Sequence, residues 1–106
     1  MGYTFKKETR YVTQGVNSEI PLEIQVLMWK CVDELVESNV DTDYLQVFKF
    51  KVEESSMLTI IHTQEQPEHK KEISITMEMQ YSSLIGKTVF IIDDNSHSTA
   101  LLGREY

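Results

Sequence analysis

The sequence predicts an α+β fold, with one long N-terminal helix packed on a mainly antiparallel sheet of about five strands, in the order β-α-β-β-β-β-β. Two observations lead to this prediction. Apolar residues recur with a helical period in one early segment, and they alternate with polar residues in later segments. Strands that follow one another without an intervening helix are typical of antiparallel sheets. The length of 106 residues corresponds to a single α+β domain over residues 1–106.

The first two predicted elements are a short strand and the helix. Arg10–Gln14 is the predicted strand, because Tyr11 and Thr13 favour an extended backbone. Pro21 suits the first turn of a helix, where no backbone donor is needed. The helix is predicted over Leu22–Ser38, which contains neither glycine nor proline and is rich in helix-forming residues.

The rest of the chain predicts five strands separated by polar segments. The alternation of apolar and polar residues is clearest in the third of them, where isoleucine and methionine side chains share one side. A hairpin loop is predicted at Glu53–Ser56, and a loop or bulged crossing at Gln64–Lys71. The five predicted strands are Tyr44–Val52, Met57–Thr63, Glu72–Gln80, Lys87–Asp93 and Ser98–Leu102.

The composition restricts the class of function. A net charge of −7 argues against a broad basic surface for nucleic acid or for an anionic membrane. The single cysteine, Cys31, excludes an internal disulfide and fits a reducing compartment. The longest uninterrupted apolar run, Val26–Trp29, is too short to span a bilayer. We therefore expect a cytoplasmic protein that uses no cofactor and binds neither nucleic acid nor a membrane.

The predicted helix has an apolar surface about twice as wide as a helix lying on a sheet needs. Its polar residues, apart from Gln25, fall within a single arc of the helical wheel. Either a curved sheet and the N-terminal segment cover the surplus, or a protein partner does, in the simplest case a second copy of the chain. Met28 and Trp29 are the predicted partner contacts, although both residue types also fill ordinary cores.

Acidic residues are concentrated at the C-terminal end of the predicted helix and just beyond it. Acids are disfavoured there by the helix macrodipole, and two of them form a like-charged i, i+4 pair. The cluster is either a solvated surface that maintains solubility or an acidic patch that docks a basic surface of a protein partner. The five residues of this predicted acidic patch are Asp33, Glu34, Glu37, Asp41 and Asp43.

Two polar clusters are candidates for catalysis or metal binding. His62 and Glu65 would form a general acid–base pair if the fold joined them, but their spacing on a strand directs them to opposite faces. Asp93, Asp94 and His97 offer ligands for a divalent cation, yet such residues are also typical of a reverse turn. They support an alternative function, a small hydrolase-like or metal-dependent activity.

Several stretches together resemble the domain of unknown function 960 family, which comprises small proteins of Gram-positive bacteria and their phages. The resemblance covers nearly the whole chain in the expected order. It implies a free-standing cytoplasmic domain without an established activity, cofactor or catalytic residue. The stretches are RYVTQGVN (Arg10–Asn17), IPLEIQVLMW (Ile20–Trp29), DYLQVF (Asp43–Phe48), IIHTQEQP (Ile60–Pro67) and VFIIDDNSHSTALLGREY (Val89–Tyr106).

The leading expectation is a non-enzymatic protein-interaction or regulatory module, with a second copy of the chain as one candidate partner. It rests on the wide apolar helix surface, the acidic patch and the lack of a recognisable catalytic motif. A third alternative is an acidic mimic of DNA, which would need carboxylates spaced like phosphates over an extended surface. Only a local cluster of carboxylates is visible in the sequence.

Overall fold

The computed structural model describes residues 2–53 and 56–106. Strand β1 (Arg10–Val12) is followed by a short helix, α1 (Gln14–Glu19), and by the main helix, α2 (Leu22–Val36). The remaining strands are β2 (Leu45–Val52), β3 (Met57–Gln64), β4 (His69–Thr76), β5 (Thr88–Asp93) and β6 (Ser98–Leu102). Short 3-10 helices lie at Lys7–Thr9, Met79–Leu84 and Gly103–Glu105.

The strands form one mixed sheet of six strands in the order β1-β6-β5-β2-β3-β4. All neighbours are antiparallel except β1 and β6, which are parallel. The α+β class is correct, but the predicted architecture of one helix on a mainly antiparallel sheet of about five strands is wrong. The first strand joins the sheet edge beside the last one, and this long-range pairing leaves no local pattern in the sequence.

No helix is predicted at α1, which begins at Gln14, the last residue of the predicted strand. Thr13 caps this helix, because its hydroxyl accepts the backbone N–H of Val16 at 3.2 Å. The carboxylate of Glu105 also sits at this helix start and accepts the Thr13 hydroxyl at 2.7 Å. A Cβ atom on Gly15 would lie 2.6 Å from that carboxylate, so glycine permits the close approach.

The predicted loop Gln64–Lys71 is shorter in the structure. Strand β4 begins at His69 rather than Glu72 and ends at Thr76, so the polar segment before it is only a short turn. The edge position of β4 explains its polar sequence, since charged side chains are common on exposed edge strands. The predicted hairpin loop Glu53–Ser56 includes residues 54 and 55, which lie outside the described residues.

The hydrophobic core lies between α2 and one face of the sheet, the inner face. The N-terminal segment contributes Phe5 and α1 contributes Val16, both fully buried. The chain therefore wraps much of α2, as the first alternative for its wide apolar surface requires. The inner-face strand residues of the core are Phe48, Phe50, Leu58, Ile60, Val89, Ile91, Ala100 and Leu102, and those from α2 are Ile24, Met28, Cys31 and Val32.

Candidate functional site on the outward side of α2

The side of α2 that faces away from the core carries an apolar stripe. Leu22 and Val26 are 70% and 59% exposed, and Trp29 is half-buried at the end of the stripe. Their i, i+4 and i+7 spacing places the three side chains next to one another along the helix. They are the part of the predicted apolar surplus that the described residues leave uncovered. Met28 lies on the opposite side of the helix and is fully buried in the core.

Trp29 is bordered by a guanidinium group from β1. The guanidinium carbon of Arg10 lies 4.6 Å from the centroid of the Trp29 ring, within the range of a cation–π contact. Arg10 also forms an ion pair with Asp33 and donates two hydrogen bonds, of 3.1 and 2.8 Å, to the carbonyl of Phe5. These contacts fix the N-terminal segment against α2 and cover one edge of the indole.

A groove of about 570 Å³ runs beside the stripe. It has an apolar floor and a rim that carries three cations and one carboxylate. Arg10 is neutralised by Asp33, whereas none of the ion pairs among residues 2–53 and 56–106 involves Lys7 or Lys30. We call this feature the α2 groove, and its lining residues are Lys7, Arg10, Val26, Trp29, Lys30 and Asp33.

Two residues of the predicted acidic patch are neutralised within the chain. Asp33 pairs with Arg10, and Glu34 pairs with Lys71 of β4. The hydrogen bond from Lys71 lowers the pKa of Glu34. The two bases come from segments 23 and 37 residues away in sequence, so the local excess of acid is smaller in the folded protein than in the sequence.

The other acidic residues follow the helix. Asp43 accepts the backbone N–H of Tyr44 at 2.8 Å and that of Gln66 at 3.1 Å, so its carboxylate organises the loop before β2. Glu37 and Asp41 are exposed. The carbonyl of Asp41 accepts a hydrogen bond from the loop-facing side chain of Gln64. The exposed part of the predicted patch therefore centres on these two residues.

His62 belongs to a buried network of side-chain amides, and only 2% of its surface is exposed. Its Nε2 atom lies 2.6 Å from Oε1 of Gln46, and its ring stacks on Phe48 with centroids 4.4 Å apart. Both amide hydrogens of Gln46 are already donated, to the carbonyl of Asp43 and to Oε1 of Gln64. The atom of Gln46 that faces His62 is therefore its amide oxygen. An amide oxygen can only accept a hydrogen bond, so Nε2 of His62 carries the proton.

This network makes His62 a neutral, structural histidine. Burial, together with smaller electrostatic effects of His69 and Lys71, lowers its pKa to about 4. Gln64 extends the network by donating to the carbonyls of Asp41 and Pro67 at 2.9 Å each. The network thus ties the loop after α2 to the turn between β3 and β4.

The candidate acid–base pair of His62 and Glu65 is not formed. His62 points to the inner face, where Gln46 is its partner, while Glu65 lies exposed in the turn after β3. Cys31 and His62 line a pocket of about 210 Å³ together with Lys71, but the two are not hydrogen-bonded to each other. Burial raises the pKa of the Cys31 thiol, so the thiol is neutral at physiological pH.

The Asp93–His97 segment is a reverse turn. Asp94 accepts the backbone N–H groups of Ser96 and His97, and these bonds lower its pKa to about 2. Asp93 is buried and accepts the N–H of Phe5 at 2.9 Å, so it anchors the N-terminal segment. The part of the chain that the structure describes contains no group of three or more His, Cys, Asp or Glu residues placed to hold a metal.

The comparisons with known proteins agree with this fold. The model of a family of staphylococcal proteins of unknown function, domain of unknown function 960, matches residues 9–105. The chain belongs to this family. A crystal structure of a protein of unknown function from Enterococcus faecalis is similar, with a TM-score of 0.76 and 24% sequence identity. The alignment covers 100% of this chain and 98% of that chain, and this likeness concerns the fold. No curated protein matches the chain.

In this member of the family, sequence reasoning missed most of the α2 groove. On the helical wheel Leu22 lies beside the polar arc and Val26 lies within it, and these positions are the available signal that both side chains are exposed. Lys7 and Arg10 reach the groove only through the folded path of the N-terminal segment, which no local pattern reveals.

Among the described residues, no helix is both long and apolar enough to cross a membrane.

Proposed function

We propose that this protein is a non-enzymatic protein-interaction module, and that the α2 groove docks an acidic segment with an apolar side chain on a partner protein. The observation that carries the proposal is the combination of exposed Leu22 and Val26 with Lys7 and Lys30, for which the described residues show no ion pair. Large apolar side chains exposed next to one another, with a charged rim, are typical of protein-binding surfaces.

The apolar stripe supplies the affinity of such a complex. Covering Leu22 and Val26 would each contribute about 1–2 kcal/mol, because more than half of each side chain is exposed to water. Trp29 is partly buried and stacked against Arg10, so it offers a rigid aromatic surface at low entropic cost.

The lysines determine which partner fits. The lysine ammonium groups at the rim attract carboxylates and repel basic segments, and this effect weakens as salt is added. The acidic patch gives weaker support for a basic partner, because Asp33 and Glu34 are already ion-paired. Glu37 and Asp41 remain a prediction for a second contact. Catalysis by His62 is not part of the proposal, because its Nε2 atom is held by Gln46.

Trp29 allows a direct test, because it is the only tryptophan and lies in the α2 groove. Its fluorescence is followed during titration with short, tryptophan-free amphipathic peptides of three kinds, Glu/Leu, Lys/Leu and Glu/Ser. We expect only the Glu/Leu peptide to shift the emission, and salt to weaken the binding.

Matched variants locate the binding site. The double change Lys7→Glu with Lys30→Glu is expected to weaken binding of the Glu/Leu peptide about tenfold or more. Lys51→Glu is the control, since Lys51 lies on the sheet and is paired with Glu53. Equal binding of the acidic and basic peptides, or no response to the double change, would refute the proposal.

A further inference from the structure

The face of the sheet opposite α2, the outer face, is apolar at its centre. The apolar side chains at this centre are half-buried, and none of them belongs to the core. Tyr106 packs on this face, with its ring 5.1 Å from that of Phe90, and it remains 69% exposed. The apolar residues at the centre of the outer face are Leu45, Val47, Ile61, Phe90, Ile92 and Leu101.

Strand register makes these side chains contiguous. Val47 pairs with Phe90, which in turn pairs with Leu101, so the three form one row across β2, β5 and β6. Leu45 and Ile92 are paired in the next row. Residues paired across antiparallel strands share a face and touch, so the rows form one continuous patch. Sheet faces of this kind are normally covered by a second layer.

The charges at the two ends of the patch are complementary to each other. Lys49 lies two residues beyond Val47 on β2, and Glu65 follows β3 at the opposite end of the strands. Both are exposed, and no ion pair in the described part of the chain involves either. A two-fold axis along the Val47–Phe90–Leu101 row would reverse the strands and bring Lys49 of each copy next to Glu65 of the other.

The apolar patch lies on four neighbouring strands, β6, β5, β2 and β3. With strands about 4.8 Å apart and two or three outward residues per strand about 6.8 Å apart, the patch has a projected footprint of roughly 300–400 Å². Two such sheets pack face to face at a small angle, as in β-sandwiches.

We infer that the outer face is a homodimer interface, in which two copies stack their sheets about a two-fold axis along the Val47–Phe90–Leu101 row. The inference is independent of the α2 groove, because α2 covers the other face of the sheet. The contact between Lys49 of one copy and Glu65 of the other then occurs twice by symmetry.

Oligomeric state tests the inference. Size-exclusion chromatography with light scattering at tens of micromolar should give twice the chain mass of 12.4 kDa. Val47→Lys should give a monomer with unchanged circular dichroism, because it places a charge at the centre of the patch. Val26→Lys, which alters the α2 groove, should remain a dimer and lose only peptide binding.

A charge swap keeps the test decisive if Val47→Lys fails to fold. Lys49→Glu and Glu65→Lys alone should each raise the dimer dissociation constant about tenfold, because each juxtaposes like charges twice. The double variant should restore the wild-type value. A monomeric wild-type protein, a swap without rescue, or a dimer lost through Val26→Lys instead of Val47→Lys would overturn the inference.

Discussion

Acidification should destabilise this protein well above the pH at which its carboxylates are protonated, and His62 is the cause. The histidine is neutral in the folded protein, where burial lowers its pKa to about 4, against an ordinary value of 6.5. The unfolded chain therefore binds a proton at a pH where the folded protein does not. Stability is fully present above pH 6.5 and is lost as the pH falls towards 4.

The magnitude follows from the two pKa values. The difference between 6.5 and about 4, at about 1.4 kcal/mol per pKa unit, corresponds to about 3–4 kcal/mol below pH 4. About 2 kcal/mol of this is lost between pH 7 and pH 5. The pKa of Glu19 and of Asp94 is lowered to about 2, so their contributions disappear only below about pH 4.5. The two effects therefore occupy different pH ranges.

Urea unfolding followed by circular dichroism, repeated at intervals between pH 7.5 and 4.5, measures this effect. His62→Gln is the matched variant, because an amide can still hydrogen-bond Gln46 but does not titrate. We expect the variant to be less stable at pH 7 and to lose much less stability between pH 7 and pH 5. A wild-type free energy of unfolding that is flat over this range, or an equal loss in the variant, would refute the reasoning.

Two further predictions concern packing. Met28→Ala should lower the free energy of unfolding by about 2–5 kcal/mol in urea, because Met28 is fully buried, whereas Val26→Ala on the exposed stripe should change it by about 0.5 kcal/mol or less. Gly15→Ala should cost about 1–3 kcal/mol, since its Cβ atom would lie 2.6 Å from Glu105. Glu105→Ala should make the Gly15 change much less harmful, and a double-mutant cycle by thermal unfolding would show additive effects if the contact were unimportant.

The positions of several elements follow from local sequence patterns. Helix α2 begins at the predicted Leu22, because Pro21 and the helical period both mark that start. Strand β6 occupies the predicted residues Ser98–Leu102, because the polar Asp93–His97 segment ends β5 and forms the turn. Such signals lie within a few residues of the element that they determine.

The rest of the fold and most of the candidate site depend on contacts between distant segments. β1 pairs in parallel with β6, about 90 residues away, and α1 is capped in part by the C-terminal Glu105. The basic residues that pair with Asp33 and Glu34 lie on β1 and β4. A sequence pattern shows a local excess of acidic residues, but it does not show which basic residues the fold places next to them.

The net charge of the chain and the charge that lines the α2 groove differ in sign. The chain carries −7 overall, yet the α2 groove is lined by three cations and one carboxylate, and no ion pair among the described residues involves Lys7 or Lys30. The groove and the outer face lie on opposite sides of the sheet, so the inferred dimer would expose two grooves pointing away from each other. A partner with two acidic segments long enough to reach both would then bind more tightly than either segment alone, without any new contact. Monomeric Val47→Lys would lose that gain while keeping the affinity of each single groove, which separates the dimer's contribution from that of the groove.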